Sequence, residues 1–145
     1  MNSIVENSLK MLTHEFKIRV RYSETDQMGF VYYGNYAAYL EVGRVETLRE
    51  LGFPYKELEA RGVLLPVVNL TVNYRKPAVY DDLLTIKTSV KQVPSIKFIF
   101  ESEIVNEQGD LLIEASVTLV FIDKEKNKPV PVPEWFAKAT EKYFI

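Results

Sequence analysis

Tyr22-Ser23-Glu24-Thr25-Asp26-Gln27-Met28-Gly29-Phe30-Val31-Tyr32-Tyr33-Gly34-Asn35-Tyr36 joins an alternating apolar segment to the longest helical pattern in the chain. One carboxylate, Asp26, stands in this glycine-containing loop just ahead of the helix. The first-turn N–H groups of a helix lack partners within it and gather a partial positive charge. An acid and an anion-binding helix end therefore lie side by side.

Upstream, Phe16, Ile18, Val20 and Tyr22 alternate with Lys17, Arg19 and Arg21, the period of a half-buried strand. Residues 1–11 are polar and irregular and read as a loose arm or one helical turn, so residues 1–13 are an N-terminal arm. Downstream, Ala37, Leu40, Val45, Leu48 and Leu51 recur at helical spacing, widened by Ala38, Val42 and Gly43. Gly52 and Pro54 stop that helix. About 18 residues at 1.5 Å each span roughly 27 Å, enough to cross a whole sheet.

The period then changes. After a short helix over residues 54–60, Val68, Leu70, Val72 and Tyr74 alternate with Asn69, Thr71 and Asn73. Leu84, Ile86, Thr88 and Val90 form a third strand. Ile96, Phe98, Phe100 and Ser102 form a fourth, joined through the turn Asn106-Glu107-Gln108-Gly109-Asp110 to a fifth over residues 111–122. Pro129-Val130-Pro131-Val132-Pro133 is excluded from a sheet interior, and residues 134–144 read as a short amphipathic helix. The expectation is a single α+β domain over residues 1–145, a long helix wrapped by a largely antiparallel sheet of about five strands.

Composition narrows the function. A chain of 145 residues buries roughly 70% of its unfolded surface, so one core suffices. A net charge of −2 gives no basic footprint for nucleic acid. The absence of cysteine excludes disulfides and thiol chemistry. One histidine, His14, provides neither a transition-metal site nor a serine-hydrolase triad. No segment has transmembrane length or a secretory pattern, which gives the expectation of a cytoplasmic protein.

The loop from Asp26 to Tyr36 resembles the signature of the hotdog acyl-CoA thioesterases of the 4-hydroxybenzoyl-CoA thioesterase-like family. Tyr74-Arg75-Lys76-Pro77-Ala78, followed by Asp81-Asp82, is similar to that family's second motif. The resemblance runs from about residue 15 to about residue 123. It implies the hotdog fold, and thioester hydrolysis with Asp26 as nucleophile or general base toward water. The substrate would be an acyl-CoA, small or medium, or an acyl-carrier-protein thioester, with no cofactor beyond the coenzyme A of the substrate. It also implies sites between subunits, hence a homodimer at least and a tetramer in some arrangements.

The chemistry agrees with that implication. Thioester hydrolysis needs a group that delivers or activates the attacking oxygen, and donors where the carbonyl oxygen becomes negative. The expected donors are the Tyr33 and Gly34 amides. Gly29, Val31, Tyr32 and Asn35 of the loop, with Tyr74, Arg75, Lys76 and Lys97, are the expected substrate-binding residues. Phe30, Val67 and Val68 add apolar wall, and Lys91 is a further candidate for the phosphates. Two departures from the family stand out: many relatives carry histidine where this chain has Tyr33, and a basic cluster of some relatives falls at Pro94-Ser95-Ile96.

Without the motif, Asp26 reads as an ordinary capping or loop aspartate. Glu41, and more weakly Glu46, are alternative helix carboxylates, since another hotdog branch draws its acid from mid-helix. A hotdog dehydratase would need a histidine paired with a carboxylate, and His14 is badly placed for that. A non-catalytic acyl-binding or scaffold protein would keep the fold without needing Asp26.

Overall fold

A computed structural model describes residues 3–6 and 11–144. β1 (Ser3–Glu6) pairs with β2 (Leu12–Arg19), so part of the expected N-terminal arm is a strand; residues 1, 2 and 7–10 lie outside the described residues. α1 (Asn35–Glu50) and α2 (Tyr55–Ala60) follow, then β3 (Val63–Leu64) and four long strands: β4 (Val67–Tyr74), β5 (Leu83–Val90), β6 (Lys97–Val105) and β7 (Leu111–Val120). β8 (Ile122–Asp123), β9 (Lys128–Pro129) and α3 (Glu134–Thr140) complete the order. The main sheet has six strands in the order β1-β2-β5-β6-β7-β4, each pair antiparallel. No helix among the described residues is long and apolar enough to cross a membrane.

This is the hotdog arrangement, one strand larger than the sequence suggests. The extra strand is β1, too polar and short to carry a periodic signal. The other difference lies in the proline-rich tail. Pro129 pairs with Ile122 at the edge of a small sheet β3-β8-β9, where a residue without an N–H still offers its carbonyl. Residues 134–144 divide into α3 and a 3-10 turn at Glu141–Tyr143.

α1 runs across β2 and β5. Its closest approach is at Gly43, where an added Cβ would stand 2.6 Å from Ile86 Cγ2 and 2.8 Å from Thr88 Oγ1. Only a glycine lets the helix lie so low on the sheet. The buried face consists of Tyr36, Tyr39, Leu40, Gly43, Arg44, Thr47 and Leu48. Ala37 and Ala38, expected inside, are exposed, and Val42 and Val45 are half-buried. Thr47 can lie on the inner face because its hydroxyl finds partners there. Thr47 Oγ1 donates to Gly43 O at 2.7 Å and accepts from His14 Nδ1 at 3.2 Å. Gly52, at φ +92°, ends the helix as expected.

The core divides along the strands. One end holds Leu48 of α1 with Phe98, Phe100, Phe121 and Phe136, sealed by α3. The other holds Tyr36, Tyr39 and Leu40 with Leu84, Ile86 and Ile104. The loop carrying Asp26 lies over this second end.

Candidate active site

Asp26 closes a tight loop on itself. Its N–H donates to Phe30 O at 2.8 Å, and its carbonyl accepts from Gly29 N–H at 3.0 Å. Side-chain Oδ1 accepts the N–H groups of Met28 at 2.9 Å and Phe30 at 3.3 Å. The carboxylate therefore forms an Asx-type turn and does not cap α1. Gly29 takes the corner at φ +86°, which costs an L side chain roughly 1–2 kcal/mol. Oδ2 has no hydrogen-bond partner among the described residues.

The loop is pinned on two sides. Thr25 bridges to Val31 and Phe30 to Val79, while Val31 N–H donates to Ala78 O at 2.9 Å. On the helix side, Tyr32 N–H donates to Glu24 O at 2.9 Å, Asn35 N–H to Tyr32 O at 2.9 Å and Tyr36 N–H to Tyr33 O at 3.3 Å. Between them, the N–H groups of Tyr33 and Gly34 have no acceptor among the described residues. They are the unengaged donors of the helix start.

A cleft of about 300 Å³ opens beside Asp26, walled by Met28, Phe30, Val31, Tyr33, Tyr36, Tyr74 and Pro77, with Arg75 and Lys76 bordering it. Tyr74 stands edge-on to Tyr33 and Tyr36, with ring centroids 6.5 and 5.7 Å away. The buried Tyr36 hydroxyl accepts Ala78 N–H at 3.0 Å. Burial pushes its phenol above the ordinary value against the opposing pull of that bond, so it stays protonated at neutral pH. Arg75 pairs with Glu114, and Lys76 Nζ lies 3.6 Å from Asp110 Oδ1.

A sequence model of the thioesterase-like superfamily matches residues 20–140. The chain belongs to the thioesterase-like superfamily. It is 39% identical over 123 residues to YneP of Bacillus subtilis, spanning 82% of this chain and 89% of that protein. It is 38% identical over 117 residues to the acyl-CoA thioester hydrolase YbgC of Escherichia coli, spanning 81% and 87%. Among solved structures, the DHNA-CoA thioesterase of Staphylococcus aureus superposes with a TM-score of 0.82 at 36% identity, over 90% of this chain and 89% of that one. The protein is a hotdog thioester hydrolase.

Within this thioester hydrolase, Asp26, Val31, Tyr33, Tyr74, Arg75 and Lys76 line one cleft, as the sequence suggests. Other expected residues lie elsewhere. Lys97 is the first residue of β6 and pairs with Val120, whereas the cleft adjoins the opposite end of that strand. Eight residues of strand put it roughly 26 Å away. Lys91 lies in a separate groove with Lys87, Glu101 and Glu103. Val67 and Val68 occupy the end of β4 distant from Tyr74.

Gly29, Tyr32, Gly34 and Asn35 are not among the residues that wall the cleft; Gly34 directly follows the cleft-lining Tyr33, so its N–H is the next amide along the chain. The Tyr32 ring packs over Gly34, with Cε2 2.8 Å from where a Cβ would stand, and Asn35 Nδ2 donates to Glu24 O at 2.8 Å. Glu41 is exposed and outside the cleft, and Glu46 bonds Arg49. His14 is buried under α1, its ring held below its ordinary pKa by desolvation.

The sequence reading missed Met28, Tyr36 and Pro77 as cleft residues, and Glu24. Tyr36 carries a recoverable signal, as the last aromatic of the loop motif and the second residue of α1. Met28 and Glu24 carry none, since an exposed methionine and a loop glutamate look like ordinary surface.

Proposed function

We propose that the enzyme hydrolyses an acyl-CoA, small or medium in its acyl part, to the free acid and coenzyme A. The observation that carries this reading is the Asp26 carboxylate, with one oxygen tethered by the Met28 and Phe30 amides and the other unengaged, in a cleft that Tyr33 also lines, where the Tyr33 and Gly34 amides of the helix start are themselves unengaged. Tethering fixes the carboxylate without loading the oxygen that does the chemistry.

The thioester carbonyl oxygen is held by the Tyr33 and Gly34 N–H groups. Asp26 Oδ2 either attacks the carbonyl carbon or takes a proton from the water that does. Negative charge gathers on the oxygen in the tetrahedral intermediate, where one amide donor contributes about 3–4 kcal/mol. The carbon–sulfur bond then breaks, and coenzyme A leaves as a thiolate that needs little acid help; where Asp26 itself attacked, water then hydrolyses the acyl–Asp26 anhydride, which frees the acid and restores the carboxylate. The acyl group lies against Phe30, Tyr33, Tyr36 and Tyr74. Arg75 and Lys76 face the phosphates, exchanging carboxylate partners for the substrate's charges. E. coli YbgC, an acyl-CoA thioester hydrolase by name, supports coenzyme A as the carrier.

A second copy completes the enzyme in this reading. β4 is an edge strand whose Val67, Val68, Leu70 and Tyr74 are 42–56% exposed, an apolar row with open backbone groups. Pairing of two such edges gives a homodimer, and two dimers give a tetramer; sedimentation at micromolar concentration distinguishes these from a monomer. We place the enzyme in the cytoplasm with its substrate.

A panel of short, medium and aromatic acyl-CoAs, read by thiol release, tests the chemistry. Asp26→Asn lowers kcat about 10³-fold on the best substrate, within the range for a lost acid–base group. Retention of activity by Asp26→Asn, or loss only in Glu41→Gln, refutes the assignment.

A further inference from the structure

Asp26 and the Tyr33–Gly34 amides sit on opposite arms of one loop, so their separation must be set by something that holds both arms. Glu24 belongs to the Asp26 arm, two residues before the acid, and is hydrogen-bonded to the other. Its Oε1 accepts Arg21 N–H at 2.8 Å and the Tyr39 hydroxyl at 2.9 Å. Its backbone carbonyl accepts Tyr32 N–H at 2.9 Å and Asn35 Nδ2 at 2.8 Å. Four donors from the strand exit, the loop's far arm, the helix start and the helix interior converge on one residue, two positions before Asp26.

The sequence places the anchor well. Tyr39 is 1% exposed and packs in the core against the sheet, its ring 6.0 Å from that of Tyr36. Glu24 is half-buried, and its link runs through this rigid aromatic rather than through a surface ion pair. Burial and the bond to Glu24 raise the Tyr39 phenol, which keeps the donor protonated across the working pH range. The Tyr32 amide is consumed by Glu24 O, so the unengaged N–H groups begin at the next residue, Tyr33.

We propose that Glu24, held by Tyr39, is a positioning residue that keeps Asp26 in register with the Tyr33 and Gly34 amides. It touches no substrate and lies outside the cleft lining. The inference rests on the proposed roles of Asp26 and those amides. A displacement of about 1 Å between reacting groups costs on the order of 10²-fold in rate, with little change in ground-state binding. The effect of Glu24 therefore falls on kcat.

The test compares Glu24→Ala, Glu24→Gln, Tyr39→Phe and Asp26→Asn as purified full-length enzymes on one acyl-CoA. Each is assayed for kcat per folded molecule, KM and the pH dependence of kcat. Glu24→Ala lowers kcat about 10²-fold with KM within about twofold, and Tyr39→Phe lowers it about tenfold. Glu24→Gln keeps an acceptor oxygen at the same reach, so it stays within about threefold of the parent with an unmoved pH profile. A purely structural role predicts lower thermal stability with kcat per folded molecule unchanged.

Parental kcat in Glu24→Ala, or a loss confined to KM, overturns the proposal. So does failure of Glu24→Gln to rescue. If Glu24→Ala does not fold, Tyr39→Phe decides: it keeps the ring shape and removes only the donor, and parental kcat there overturns the proposal. Activity surviving in Asp26→Asn overturns the reading of the site and this inference with it. An inactive Asp26→Asn beside a fully active Glu24→Ala and Tyr39→Phe overturns this inference alone.

Discussion

Both ends of the hotdog sheet are filled with aromatic rings, but of different kinds. At the end sealed by α3, Phe98 stacks with Phe100 at 4.4 Å and meets Phe121 and Phe136 at 5.7 and 5.6 Å. At the Asp26 end, the rings are Tyr33, Tyr36, Tyr39 and Tyr74. A phenyl ring contributes area and shape and makes no demand on its neighbours. A buried tyrosine must also satisfy a hydroxyl, so each one fixes a piece of backbone or another side chain. Tyr36 holds Ala78 and Tyr39 holds Glu24, and through these two bonds the loop and its facing wall are hung on α1. Stability is concentrated at one end and geometry at the other.

That division makes the two ends respond differently to mutation. The largest effect is expected from Phe136→Ala, which removes a fully buried ring and costs about 3–5 kcal/mol. Denaturant unfolding shows the loss, while kcat per folded molecule stays near the parental value. Tyr36→Phe is smaller in stability and larger in activity. It leaves Ala78 N–H, fully buried, without its acceptor at about 1–3 kcal/mol. Because Ala78 O also holds Val31 N–H, the loosened wall lowers kcat, and activity should fall by more than the folded fraction does.

His14 lies between the two ends, and its effect depends on pH. Burial lowers its pKa below 6.5, with Glu50, Glu46 and Glu15 opposing, so the unfolded chain takes up the proton first as pH falls. Its contribution is complete above about pH 6.5 and is lost as pH drops toward the folded-state value, with a slope of at most about 1.4 kcal/mol per pH unit. Unfolding free energies of the parent and His14→Gln, measured from pH 7.5 to 5, should show a shallower fall in the variant. The smallest stability effect belongs to Arg75→Gln. Its pair with Glu114 is half exposed and contributes less than about 1 kcal/mol. A rise in KM for acyl-CoA with unchanged kcat is the expected kinetic result.

Much of the fold is legible in the chain because period and punctuation agree. The helix ended by Gly52 and the turn at Asn106–Asp110 reappear where expected, and the alternation from Phe16 reappears as β2 only as far as Arg19, because Tyr22 turns outward in a 3-10 turn. The edge strand is legible as a strand but not as an edge. Val68, Leu70 and Tyr74 alternate like half-buried residues yet are exposed, because α1 packs chiefly on β2 and β5 and meets β4 only near Tyr74 and Val72. The helix face is also misread from hydropathy. Thr47 and Arg44 count against burial on any scale, but a fold that supplies partners or covers a long aliphatic stem puts them inside.

The chain's own order of residues settles that a carboxylate, a glycine turn and a helix start follow one another within residues 26–34. Such local geometry is dictated by backbone preference and spacing, which no distant contact needs to impose. Tertiary structure alone decides that Glu24, Tyr36 and Tyr39 hold this loop and its facing wall in place. Those properties arise from hydrogen bonds between residues 11, 15 and 42 positions apart. A pair of that separation leaves no periodic trace in sequence, since its partners come together only once the helix is packed on the sheet.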